Sequence, residues 1–165
     1  MVGQVVRFDL DPDETIAVHR TFLKRDGSGK ADVEKAKVML GDSRGGGIWL
    51  GSNSVSLFDL DSLAVTEGIE TGLSYQQIKG APTIAATSTG GLVALQLPAL
   101  PAAKRVVIGA DNDPNDAGLR AALNAAQRWR DEGRQISIEN PRGVKDWNDL
   151  LQNRLRPTRV RAPGC

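Results

Sequence analysis

The chain has 165 residues, enough for one ordinary domain with hardly room for a second. Hydrophobic residues at 40% and charged residues at 25% exclude a disordered polymer, and apolar runs such as Val106-Val107-Ile108 are too short to span a bilayer, so no membrane partner is expected. One cysteine, Cys165, excludes an internal disulfide or a multi-cysteine zinc ribbon, and a net charge of +1 names no partner. With no basic-then-apolar leader, the expected location is a reducing cytoplasm.

The first 58 residues read as turn-rich and β-like. Val5 to Leu10 and Ile16 to Leu23 are strand-type runs separated by Asp11-Pro12-Asp13. Asp26-Gly27-Ser28-Gly29 is a turn, and Gly45-Gly46-Gly47 is another before Ile48-Trp49-Leu50. Six basic residues (Arg20, Lys24, Arg25, Lys30, Lys35, Lys37) lie against three acidic ones between positions 20 and 37. From Asp59 to Ile78 there are four acidic residues and no Lys or Arg, and the end of the chain adds Arg154, Arg156, Arg159 and Arg161. Positive flanks about an acidic centre suit a protein that grips phosphates around a cation, although solvated surface charge gives the same pattern.

Beyond Ser62 strand and helix alternate. Leu63 to Thr66 is a strand, and Glu67 to Ile78 is a helix with Ile69, Leu73 and Ile78 at helical spacing, stopped by Gly80 and Pro82. Thr83 to Thr87 is a second strand, followed by a Ser88-Thr89-Gly90-Gly91 turn and a short helix ending near Pro98. Arg105 to Ala110 is a third strand. Asp116 to Glu132 is an alanine-rich helix with Leu119, Leu123, Ala126 and Trp129 on one stripe and Gly133 at its end. Gln135 to Glu139 is a fourth strand, and Asp146 to Asn153 a last helix. The expected fold is therefore α/β, a parallel sheet with helices on both faces, preceded by a small β-rich subdomain.

Ligands of such sheets bind at the carboxyl ends of the strands. There the sequence places Glu67 after the first strand, and Asp111 and Asp113 after the third. Three carboxylates brought together repel unless a hard cation such as Mg²⁺ or Mn²⁺ lies between them. Gly68 and Gly118 allow close backbone approach. An Asp-x-Asp by itself is equally a turn and helix-cap pattern.

Leu63-Ala64-Val65-Thr66-Glu67-Gly68, then Ala110-Asp111-Asn112-Asp113 with Ala117-Gly118, resembles the Toprim domain of primases, topoisomerases and certain nucleases. The resemblance spans about residues 63 to 151. It implies that Glu67 acts as general acid/base or metal-linked carboxylate and that Asp111 and Asp113 bind Mg²⁺. Pro114-Asn115-Asp116 intervenes where related primases run directly into Ala-Gly, which leaves Asp116 open as a further ligand. Lys145-Asp146-Trp147-Asn148-Asp149-Leu150-Leu151 is similar to the ending of phage and plasmid primase-like Toprim proteins. Arg20-Thr21-Phe22-Leu23, Asp26 to Ala31 and Lys37 to Gly41 resemble the basic subdomain that precedes Toprim in them. This implies residues 1–58 as a basic subdomain, 59–153 as Toprim and 154–165 as a basic tail.

The implied function is Mg²⁺-dependent nucleotidyl transfer, RNA primer synthesis on single-stranded DNA from ribonucleotides, with a replicative helicase as an expected partner. Arg20, Lys30, Lys37, Gly68 and Lys145 are the expected nucleotide or nucleic-acid contacts. A Toprim nuclease and a non-catalytic nucleic-acid-binding module are the alternatives. Gly27-Ser28-Gly29-Lys30 is not a phosphate loop, because Lys24 stands at the first glycine position and Ala31 at the Ser/Thr position; it reads as a hairpin turn. His19, the only histidine, and Tyr75, the only tyrosine, read as structural, and Trp49, Trp129 and Trp147 as packing residues.

Overall fold

Short apolar runs alternating with alanine-rich and amphipathic stretches form eight strands and four helices in a computed structural model that describes residues 1–10, 14–51 and 56–155. The turn at Asp11-Pro12-Asp13 and the arginines Arg156, Arg159 and Arg161 lie outside the described residues. Strands β1 (Val2–Val6), β2 (Thr15–Thr21) and β3 (Lys37–Gly41) make an antiparallel sheet in sequence order. A five-stranded sheet has the order β4-β6-β5-β7-β8, built from β4 (Ile48–Trp49), β5 (Ser62–Thr66), β6 (Thr83–Ala85), β7 (Arg105–Gly109) and β8 (Gln135–Glu139). β5, β6, β7 and β8 run parallel, whereas β4 pairs antiparallel with β6 through Ile48–Ala85 and Trp49–Ile84.

The period of two divides β5 and β7 between two helical layers. Leu63, Val65, Val106 and Ile108 face one side, under Leu92 of α2 (Thr89–Ala94) and Ala121, Ala122, Ala125, Ala126 and Trp129 of α3 (Ala117–Asp131). Ala64 and Val107 face the other, under Tyr75 of α1 (Ile69–Lys79) and Trp147 of α4 (Trp147–Leu155). The parallel sheet covered on both faces is thus observed as expected.

Several elements differ from the sequence reading, each for an identifiable physical reason. The helix expected from Glu67 begins at Ile69, because Gly68 stays extended as its N-cap. Its far end is as expected: Gly80 takes the left-handed conformation at φ 69° and closes the helix onto the Gln76 carbonyl. α2 starts at Thr89, inside the expected turn, since the Ser88 hydroxyl accepts the Gly91 N–H at 2.9 Å. β3 has no strong alternation of its own and forms because β2 presents an edge to it. On α3 the buried stripe is Gly118, Ala121, Ala122, Ala125, Ala126 and Trp129, while Leu123 is exposed. Small residues win that face because they let the helix lie close to the sheet and to α2.

A third apolar cluster fastens the small sheet to the large one. Val5 of β1 and Ala17 of β2 pack on Ile48 of β4, Ile69 of α1 and Ala85 of β6. Arg134, which the sequence reading did not single out, is buried yet satisfied: its guanidinium donates to the carbonyls of Ala102 (2.7 Å), Ala103 (2.9 Å) and Pro98 (2.6 Å). It therefore ties the segment between α2 and β7 to the start of β8, and Glu132 Oε2, 3.1 Å from its Nε, pairs the charge.

Trp129 is fully buried between α3 and the sheet. Trp129→Ala is expected to cost about 3–5 kcal/mol in urea unfolding, whereas Leu123→Ala on the same helix stays within about 0.5 kcal/mol. Comparable losses for the two would contradict this assignment of the buried stripe.

Candidate active site

The chain steps from β5 through α1 to β6 on one side, then returns through α2 to β7 on the other side of β5. The connections leaving β5 and β7 therefore part in opposite directions and open a crevice at their carboxyl ends. Glu67 follows β5 directly, and Asp111 and Asp113 follow β7. All three line a cleft of about 620 Å³, together with Gly68, Lys145 and, from the amino-terminal region, Lys30 and Lys37.

The two aspartates are held differently. The Thr71 hydroxyl donates to Asp111 Oδ2 at 2.8 Å, and the Trp147 backbone N–H donates to Oδ1 at 3.4 Å. The Trp147 indole N–H donates to the Ala110 carbonyl at 3.0 Å, so one buried residue fixes both the backbone before Asp111 and its carboxylate. Asp113 instead borders Gly118, as Glu67 does. A Cβ there would come within 3.2 Å of Asp113 Oδ2 and 3.5 Å of Glu67 Oε2. Asn112, between the aspartates, donates from its side-chain amide to the carbonyls of Pro141 (2.8 Å) and Val144 (2.7 Å), bracing the loop that carries Lys145.

Burial pushes the Glu67 carboxyl above its ordinary range, reinforced by the negative charges of Asp113 and Asp111, while Lys37 and the Thr89 backbone N–H oppose the shift. Burial likewise raises Asp111, against the hydrogen bonds from Thr71 and Trp147, and Asp146 and Asp113 add to the rise. Among the described residues no three acidic, His or Cys side chains come close enough to enclose a metal ion on their own. The donor set nevertheless suits a hard divalent cation. It is all oxygen, with Glu67 Oε2 and Asp113 Oδ2 both bordering Gly118 and the Asp113 charge adding to the upward shift of Glu67. Mg²⁺ is typically bound by one or two carboxylates and keeps several waters for substrate oxygens to replace.

The basic residues separate into two groups. Leu23 and Lys30 bridge across the 24–29 turn, the hairpin expected there, and Lys30 reaches the cleft. Lys37 opens β3, opposite Thr21 on β2. Lys30 Nζ lies 3.4 Å from Glu70 Oε1 and Lys37 Nζ 3.0 Å from Glu70 Oε2. Arg20 pairs with Val38 instead, so the pleat turns it to the opposite face of the small sheet from Lys37, exposed and away from the cleft-lining residues. Lys145 is exposed at the rim. Asp116 is exposed in a left-handed conformation before α3 and does not line the cleft. At Gly68 a Cβ would find only ordinary contacts, 3.7 Å from Glu70 and Thr71, so the protein's own packing does not demand glycine there.

Glu70, Thr71 and Asp146 also line the cleft and were not selected from sequence as site residues. Their signal was position: Glu70 and Thr71 fall in the first turn of a helix entering from the crevice, and Asp146 at the start of another. His19 is buried on the inner face of the small sheet, outside the cleft lining. Burial lowers its pKa, with Lys37 adding to the effect. Tyr75 is buried edge-to-face on Trp147 at 4.6 Å and donates to Glu139 at 3.2 Å; burial raises its pKa.

Fold and site together define an α/β core with a carboxylate cluster at its topological switch point. A Toprim domain model matches residues 62–156, more than half of the 165 residues, and the chain belongs to the Toprim family, whose domains bind divalent cations. A domain of unknown function (DUF7146) matches residues 1–50. No curated protein matches in sequence. Among solved structures, a DNA primase domain from Pseudomonas aeruginosa is 17% identical with a TM-score of 0.51, over 92% of this chain and 52% of that one. A DnaG primase catalytic domain bound to single-stranded DNA is 15% identical with a TM-score of 0.47, over 92% and 52%. The chain thus spans about half the length of these primase domains. The first likeness shows the fold.

Two outcomes follow from the carboxylate geometry. Glu67 holds its proton to higher pH folded than unfolded, so the folded state loses stability as pH rises from the ordinary carboxylate range through the raised value. In metal-free buffer Glu67→Gln is expected to melt above wild type near about pH 7, the gap closing toward about pH 4. A gap independent of pH would contradict it. Gly118→Ala adds a methyl group beneath Asp113 and Glu67. It should keep or raise the melting temperature, alanine being favoured in helices by about 1 kcal/mol, yet lower Mg²⁺ affinity by about tenfold in calorimetry.

Proposed function

We propose that the chain is the core of a primase-type nucleotidyltransferase, joining ribonucleotides on a single-stranded DNA template with Mg²⁺ or Mn²⁺. One observation carries this reading: Lys30 and Lys37, from the hairpin and β3 of the amino-terminal region, stand in the same cleft as Glu67, Asp111 and Asp113. Lysines facing acidic residues across one cleft suit a substrate whose triphosphate is anionic and whose reacting phosphorus needs a cation.

Asp111, immobilised by Thr71 and Trp147, and Asp113 with Glu67 would hold the cation. When bound, it supplies neutralisation of phosphate charge and stabilises the charge that develops at the transferred phosphorus. Glu67, with its raised proton affinity, is suited to accept the proton of an attacking 3′-hydroxyl. Lys30 and Lys37 would orient the triphosphate, and Lys145 the nucleotide or template at the rim. A nuclease would use the same carboxylates on water. The two cleft lysines favour a polyphosphate substrate over hydrolysis.

The test is a gel assay on single-stranded DNA with labelled ribonucleotides and Mg²⁺ or Mn²⁺. Short products are expected from wild type and a loss of about 10²-fold or more from Glu67→Gln. Glu67-dependent degradation of the template would replace this reading with a nuclease, and neither product would leave a binding module.

A further inference from the structure

Glu70 lies where neither the carboxylate set nor the basic set requires it. It projects from the first turn of α1, yet each of its oxygens faces one of two ammonium groups from other segments: Oε1 toward Lys30 on the hairpin at 3.4 Å, Oε2 toward Lys37 on β3 at 3.0 Å. Two lysines sharing one two-oxygen anion is the arrangement that would receive two oxygens of a phosphate. The groups are partly exposed, with side chains 38–49% accessible, so the pairs exchange readily with an incoming anion.

Charge sets the condition for that exchange. Five carboxylates line the cleft (Glu67, Glu70, Asp111, Asp113 and Asp146) against three lysines, a surplus of two negative charges. A polyphosphate arriving alone meets a repulsive field and lysines already neutralised. Resting on the triphosphate reading above, we propose that Glu70 is an internal stand-in for phosphate. It holds Lys30 and Lys37 in place in the free protein and yields them to the triphosphate only when a divalent cation has offset the carboxylate surplus. Polyphosphate binding is thereby made conditional on the cation. An acidic residue in a first helical turn also favours the helix dipole, a role that would affect stability and leave ligand binding unmoved.

Calorimetric titration of the full chain with inorganic triphosphate, in EDTA and in Mg²⁺, separates these roles. Wild type is expected to bind at least about tenfold more tightly with Mg²⁺ than without. Glu70→Gln should bind in EDTA about tenfold more tightly than wild type, and Lys30→Ala with Lys37→Ala should remove that gain. Asp146→Asn, which removes one negative charge from the same cleft without freeing a lysine, should gain clearly less. Glu70→Ala serves as a second variant, with melting temperature confirming a folded chain for each. Equal EDTA affinity in wild type and folded Glu70→Gln, or an equal gain from Asp146→Asn, overturns the role of Glu70 alone. No triphosphate binding by any folded variant in Mg²⁺ overturns the triphosphate reading of the site and the inference with it.

Discussion

Negative charge held together against its own repulsion is the constraint on which this molecule turns. Left to themselves, Glu67, Asp111 and Asp113 would part and hydrate separately. The parallel sheet denies them that, because reversal of the winding at β5 and β7 delivers the ends of both strands to one crevice. Layers on each face fix the strands: Trp129 and the small face of α3 on one side, Tyr75 and Trp147 on the other. Trp147 joins packing to chemistry, since the residue that fills the second layer also donates two hydrogen bonds around Asp111. The raised proton affinities of Glu67 and Asp111 come first from burial in that crevice and then from the neighbouring carboxylates.

The amino-terminal sheet supplies the opposite charge, and apolar packing on β4, α1 and β6 sets its position. Because β4 continues the large sheet while the chain before it forms the small one, the lysines are mounted on the same framework as the carboxylates. Glu70 completes the link electrostatically, spanning from α1 to both lysines. The cleft is a balance of fixed charges in which each side chain's state depends on its neighbours, the condition under which cation and anionic ligand bind interdependently.

Much of this was legible in the residues because the signals were local. β-branched runs at βα spacing implied the parallel sheet, Gly80 and Gly133 marked helix ends, and carboxylates directly after strands marked the binding edge. Where the reading missed which side chains are buried or face the cleft, the deciding force was distant. Leu123 had the periodicity of a core residue, but the stripe of alanines beside it packs closer and leaves Leu123 outside. Arg20 and Lys37 looked alike in a basic stretch, and only the pairing of β2 with β3 turned them to opposite faces. Asn112 passed as the spacer of an Asp-x-Asp, whereas it braces the loop bearing Lys145.

The sequence by itself determined the class of fold, the family resemblance and the chemistry of the donor groups, because hydrophobic period, glycine punctuation and side-chain type are properties of neighbouring residues. Only the tertiary structure decided which charges meet. Glu67 and Asp113, 46 positions apart in the chain, both border Gly118, and Glu70 reaches Lys30 and Lys37 across 40 and 33. Those meetings depend on register, crossover direction and the docking of one sheet on another, and electrostatic energy at contact distance depends on where the chain brings its charges rather than on their order along it.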